Sequence, residues 1–198
     1  KLKLYSIVRK RKPAYEYKEA HKVFENKPMQ DFKADNINQK WCTDFTYLAL
    51  ANGDKRYNCS IIDLYDRSIV ASITGKHINA ALAKETLQKA IDSQSGINTR
   101  RLMLHSDQGS RYTSKEFTEY CTKLGVIQNM SKAGYPYDNA PMERYFNTLK
   151  NELINLHNYH TEKDLYTAIE EFAYTQYNHV RPHSYNNYRT PFEARCGA

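Results

Sequence analysis

The sequence predicts an α/β fold: a mixed five-stranded sheet with helices on both faces. Two observations carry the prediction. Three β-rich runs follow one another with turn signals between them, and later short apolar runs alternate with stretches of helical period. The order reads β-β-β-α-β-α-β-α-α, and the crossovers of the second half are expected to be right-handed.

The first strand is W-C-T-D-F-T-Y-L-A-L, Trp41 to Leu50, apolar enough to be buried. Asn52-Gly53 is a tight hairpin signal, leading to strands at Tyr57 to Ile62 and Ile69 to Ile73. Asp63 and Asp66-Arg67 mark the turn between those two. From about Asn79 to Ser93 the period becomes helical, with Ala80, Ala83, Leu87, Ala90 and Ile91 inward. A short strand from Arg101 to His105 runs into S-D-Q-G-S. A helix from Ser114 to about Leu124 and a strand from Val126 to Met130 follow. Past the loop around Gly134 and Pro136, Asp138 or Asn139 can cap a helix with Pro141 in its first turn. Met142, Tyr145, Phe146, Leu149 and Leu153 form its apolar stripe, and Glu143, Asn147 and Lys150 run beside them. One more amphipathic helix is expected from Glu162 to about Tyr177, before a Tyr- and Asn-rich tail.

Of 198 residues 40% are hydrophobic and 13% aromatic, enough for one packed domain with extensions. No apolar run approaches the ~20 residues of a membrane span, and no secretory signal pattern opens the chain. Four scattered cysteines without a C-x-x-C pair read as reduced thiols of a cytoplasmic protein. His157 and His160 lack the cysteine pair that would complete a zinc site. The first residue is Lys, not Met, as expected of a fragment or a processed form. The net charge of +7 is concentrated: residues 1–40 carry eleven Lys or Arg against five Asp or Glu. That stretch, with Arg9, Lys10, Arg11 and Lys12 at its centre, is expected as a basic arm or linker for a polyanionic partner, and residues 41–198 as the core with a helical C-terminal extension.

Three acids fall at the ends of predicted elements. Asp44 lies in the first strand, Asp107 follows the fourth, and Glu143 opens the organising helix, with 35 residues between the last two. If the first and fourth strands are neighbours, the two aspartates sit side by side and Glu143 can reach across. Clustered carboxylates repel one another and resist ionisation unless cations sit among them. Hard divalent ions with oxygen ligands, Mg²⁺ or Mn²⁺, suit such a cluster. Two of them about 3.5–4 Å apart serve in-line displacement at phosphorus. At this point each acid can equally be an ordinary turn or cap residue.

The runs W-C-T-D-F-T-Y, H-S-D-Q-G-S-R-Y-T-S and Y-D-N-A-P-M-E-R-Y-F-N-T-L-K resemble the three acidic motifs of bacterial insertion-sequence transposases with a retroviral-integrase-like core. The tail Y-N-H-V-R-P-H-S is also similar to the end of that core. The resemblance covers roughly residues 30 to 195 and implies a ribonuclease H-like fold with an aspartate–aspartate–glutamate triad. It implies Mg²⁺ or Mn²⁺, two ions per site, and cleavage and joining of DNA at element ends. Asp44, Asp107 and Glu143 then become catalytic metal ligands. Lys150, Asn147, Asn139, Arg181 and His183 join the basic cluster as DNA contacts, while His105, Gly109 and Tyr112 shape the site. Partners would be transposon ends, target DNA and at least a second copy of the chain, in a bacterial cytoplasm and on the nucleoid when active. The helix-turn-helix region that the group carries upstream is not recognisable in residues 1–40. A hydrolytic ribonuclease H-like nuclease and a catalytically silent nucleic-acid-binding module remain as alternatives.

Overall fold

In the computed structural model, residues 33–130 and 139–197 are described; Arg9, Lys10, Arg11 and Lys12 lie outside them. The sheet has the order β3-β2-β1-β4-β5. Its strands are β1 (Lys40–Ala49), β2 (Lys55–Asp63), β3 (Ile69–Gly75), β4 (Met103–Ser106) and β5 (Ile127–Met130). The first three form the expected antiparallel meander, with Gly53 at φ +88° in the first turn, a left-handed conformation that a side chain resists. β4 and β5 add in parallel on the other side of β1. β1 is therefore central, and its burial hardly alternates because both its faces are covered.

One face carries α1 (Ala80–Asp92) and α3 (Lys115–Leu124), packed with Trp41, Phe45, Ile61 and Leu104. The other carries α4 (Ala140–Glu152) and α5 (Glu162–Glu171), packed with Cys42, Leu48, Ile62 and Ile69. Asn79, Ser114 and Thr161 cap α1, α3 and α5 by accepting from backbone N–H groups. The helix expected to begin at Ser114 is preceded by a single turn, α2 (Ser110–Thr113). Among the described residues no helix is long and apolar enough to cross a membrane.

The expected helix from Glu162 to Tyr177 is longer and changes character. At Phe172 it widens into π form and continues to Val180. The widened segment lies along the open edge of β3. There the Asn178 side chain accepts from Ile69 N at 2.8 Å and donates to Ile69 O at 2.9 Å, and Tyr174 Oη accepts from Ser72 N at 2.9 Å. Side chains thus satisfy an edge that would otherwise template another strand.

A last helix, α6 (Pro191–Cys196), was legible only in hindsight, from the T-x-x-E capping box of Thr190 and Glu193. Its Arg195 reaches the start of the sheet. Nη1 donates to Asp66 at 2.6 Å and Asp63 at 3.2 Å, Nη2 to Asn38 at 2.9 Å and also to Gln94. Both aspartates are fully buried, and burial first, then Asp66, pushes the Asp63 carboxyl above its ordinary range against the pull of Arg195. Removing one partner of such a group leaves buried charge uncompensated. Arg195→Met is accordingly expected to lower stability by about 3–5 kcal/mol in urea unfolding; a loss within the few tenths typical of surface changes would show that the network is not holding α6 to the sheet.

Candidate active site

The parallel ladder between β1 and β4 ends at the pair Cys42↔His105. Asp44 lies two residues further along β1, and Asp107 two residues further along the chain, just past the end of β4, so the two stand at the same level of adjacent strands. Cys42 and Leu48 pack toward α4, and Asp44, of the same parity, faces that side as well. Glu143 stands exposed in the first turn of α4. The expectation that the first and fourth strands are neighbours therefore holds, and with it the approach of the two aspartates.

Asp44 senses the other two acids. Burial first raises the Asp44 carboxyl, and Asp107 and Glu143 raise it further by repulsion. The N–H of Phe45, donating to Asp44 Oδ1 at 2.7 Å, and the Arg111 guanidinium oppose this, and the balance is a pKa pushed up to about 6. The acids are not yet a closed cage. Among the described residues no three His, Cys, Asp or Glu side chains lie close enough together to hold a metal ion. The donor set nonetheless fits one: oxygen ligands only, two of them desolvated or turn-bound, and mutual repulsion that a divalent cation would relieve.

Asp107 is fixed by its own turn. Its Oδ1 accepts from Gly109 N at 2.9 Å, and Arg111 Nη2 approaches Oδ2 at 3.5 Å. Gly109 shapes the site by having no side chain. A Cβ there would stand 2.8 Å from Asp107 Oδ1 and 3.0 Å from Arg111 Nη2. Tyr112 is wholly buried behind the site, its hydroxyl 3.1 Å from Thr43 Oγ1 and its ring tilted against Phe45, so it braces β1 next to Asp44. His105 is half-buried on β4 in register with Cys42.

Asn139, expected as a DNA contact, has its partners within the protein. It is buried at the start of α4, where its Oδ1 accepts from Cys42 Sγ at 2.7 Å and its Nδ2 donates to Thr43 O at 3.4 Å. Its amide ties the helix that bears Glu143 to the strand that bears Asp44, and it does not cap the helix. Lys150 and Asn147 lie half-buried on the same stripe as Glu143, with Asn147 Oδ1 accepting from Asn151 at 2.9 Å. The expected basic pair near the end of the core has partners within the protein. Arg181 is held by Glu152 through contacts of 2.8, 2.9 and 3.1 Å. Burial, then Arg181, Arg67 and Arg144, push His183 down to about 4. Sequence reasoning passed over Arg111 and Cys42. Arg111 could have been found from its i, i+4 spacing to Asp107.

Comparison with known proteins agrees with this geometry. The model of a family described as Integrase core domain matches residues 34–136, and a second of the same description matches residues 124–191. The transposase for insertion sequence element IS904 of Lactococcus lactis subsp. lactis (strain IL1403) is 34% identical over 162 residues, 82% of this chain and 63% of the relative. Transposase InsF for insertion sequence IS3A of Escherichia coli (strain K12) is 31% identical over 163 residues, 82% of this chain and 56% of its own length. The chain thus spans between 56% and 63% of these relatives. The HTLV-2 integrase catalytic core domain in complex with magnesium superposes with a TM-score of 0.61 at 18% identity, covering 82% of this chain and 99% of that one. A simian T-cell lymphotropic virus intasome chain gives a TM-score of 0.69 at 20% identity, covering 82% of this chain and 56% of that one. The fold is therefore the ribonuclease H-like arrangement of retroviral integrase cores.

A carboxyl whose pKa is raised by folding contributes stability that is present below its ordinary pKa and lost as pH rises through 6. Asp44→Asn keeps an acceptor for Phe45 N and removes the charge. In chelator-containing buffer it is expected to stabilise the protein by about 1–3 kcal/mol at pH 8 and by almost nothing at pH 4. Equal effects at both pH values in denaturant melts would contradict the repulsion described here.

Proposed function

The chain belongs to the Integrase core domain family, and on that premise we propose that it is the catalytic core of an insertion-sequence transposase, a metal-dependent polynucleotidyl transferase that cleaves and joins DNA strands. The single observation that supports this most is the placement of Asp44 and Asp107 each two residues past the last pair of the β1–β4 ladder, where Asp107 and Glu143 both act electrostatically on Asp44. The names of the curated relatives support the substrate, since they are transposases of insertion elements. The magnesium in complex with the HTLV-2 integrase core supports the choice of ion.

In this reading Asp44, Asp107 and Glu143 would hold Mg²⁺ or Mn²⁺, two ions per site. Bound there, the ions would supply Lewis-acid assistance to an attacking and a leaving oxygen at phosphorus. The protein's share is preorganisation. The Phe45 N–H and the Gly109 N–H orient the two aspartates, and the Asn139 amide sets the distance from β1 to the helix that bears Glu143. Lys150 and Asn147 would meet the DNA backbone along the exposed rim of α4, and the basic cluster Arg9 to Lys12 would add phosphate contacts. Joining two ends calls for at least two protomers.

The test uses a labelled duplex with a free 3′-hydroxyl, a plasmid target and Mg²⁺ or Mn²⁺. The chain is expected to give labelled strands joined to the plasmid, and Asp107→Asn and Glu143→Gln to lose joining by about a hundredfold or more with unchanged circular dichroism. Shortened strands without joined ones would identify a nuclease. Wild-type rates in either variant would overturn the assignment of the acids.

A further inference from the structure

Two acid clusters of this protein carry an arginine, and the two arginines are held very differently. Arg195 lies 2.6 and 3.2 Å from its aspartates and fills its remaining donors with amide oxygens. Arg111 makes a single approach of 3.5 Å to Asp107, at the outer limit of a hydrogen bond and far from the bidentate pairing that guanidinium and carboxylate favour. Its Nε is buried with no hydrogen-bond acceptor among the described residues. Burying a donor without an acceptor is unfavourable, so this arginine retains an incentive to find an anion.

The surroundings hold the side chain in place without satisfying it. Its guanidinium carbon stands 5.2 Å from the centroid of the Phe45 ring, a weak cation–π position that orients the plane. The absence of a side chain at Gly109 leaves the room it occupies, 3.0 Å from where a Cβ would be. Arg111 also acts on Asp44 across the site, opposing the repulsion from Asp107 and Glu143. One cation therefore sits between the two aspartates in charge, attached firmly to neither.

We infer that Arg111 is a placeholder cation for the carboxylate site, which stands beside Asp107 until divalent ions arrive and then turns its guanidinium to a phosphate of the bound DNA. The inference rests on the metal-binding reading of the three acids and goes beyond it, because it assigns an anion-binding function to a residue on α2. The exchange follows from charge. A guanidinium and a divalent ion on one carboxylate repel each other, and a phosphate between them turns the repulsion into two attractions. Arginine suits the second partner because its fork matches two phosphate oxygens.

Two measurements on the same chain test it, neither of them catalytic. Mn²⁺ binding is followed by calorimetry, and binding of a short duplex of arbitrary sequence is followed across salt concentrations in Ca²⁺. Arg111→Gln is expected to bind Mn²⁺ about threefold or more tightly than wild type, because a competing positive charge is gone. The same variant is expected to bind the duplex more weakly, with the slope of log affinity against log salt reduced by about one. Arg111→Lys should keep Mn²⁺ affinity near wild type, and it carries the metal arm of the test if the glutamine variant does not fold. Unchanged Mn²⁺ affinity, or an unchanged salt slope, in Arg111→Gln would overturn the placeholder role. Asp107→Asn separates the two ideas: if it binds Mn²⁺ as wild type does, the metal reading itself fails; if it loses Mn²⁺ while Arg111→Gln behaves as wild type, only the inference about Arg111 fails.

Discussion

The parallel register of β1 and β4 is the constraint from which the rest follows. Three residue pairs, Lys40↔Met103, Trp41↔Leu104 and Cys42↔His105, align two strands that are far apart in the chain. Two residues beyond the last pair, β1 carries Asp44 and the chain just past β4 carries Asp107. Side chains alternate with period two, so a slip of one residue in either strand would send one carboxylate to the other face of the sheet. The register is guarded by burial on both faces of β1: Trp41 and Cys42 have no exposed surface, and they point into opposite cores. Packing far more extensive than the site itself thus brings two like charges together, which neither would do alone.

Holding them there has a price that the neighbouring side chains moderate. The Phe45 N–H stabilises the charged form of Asp44, and the Phe45 and Gly109 N–H groups aim the two carboxyls. Tyr112, buried between Thr43, Phe45 and Phe117, stiffens the strand at the residue before Asp44. Asn139 and Cys42 form a contact across 97 residues of chain that fixes where α4 begins relative to β1. An amide and a thiol suit that place, because a charged group would add to the repulsion and an apolar one would leave the Thr43 carbonyl with one donor fewer.

Much of this was legible in the sequence. The strands of the meander, α1, α3 and the apolar stripe of α4 follow from periodicity, because one face of each is buried against a continuous core and the pattern records it. The three acids were legible as candidates from their positions at element ends, and their approach depended on a strand neighbourhood that sequence spacing can suggest but not impose. What the sequence left open shares a cause. Asn139, Arg181 and His183 are polar residues in motif-like runs, and their types say nothing about partners within the protein: Arg181 reaches Glu152, 29 residues away in the chain. The π segment escaped because its purpose, closing the edge of β3 through Tyr174 and Asn178, belongs to the sheet and not to the helix.

The two acid clusters on this sheet show how similar chemistry divides into scaffold and site. At the start of β1, Asp63 and Asp66 have no exposed surface, and Arg195 meets them with short contacts supported by Asn38 and Ser68. The carboxylates and the guanidinium there are matched to one another, and little is left for a ligand. Further along the same strand, Asp44 faces α4 with its carboxyl pushed up to about 6, Asp107 is partly open to solvent, Glu143 is exposed, and the nearby guanidinium of Arg111 stands 3.5 Å away with an unmatched Nε. Deep burial and full pairing make a salt bridge that resists exchange. Partial burial and incomplete pairing leave free energy that a cation and an anion arriving together can recover. The difference lies in access and in the number of satisfied bonds, since the residue types are nearly the same.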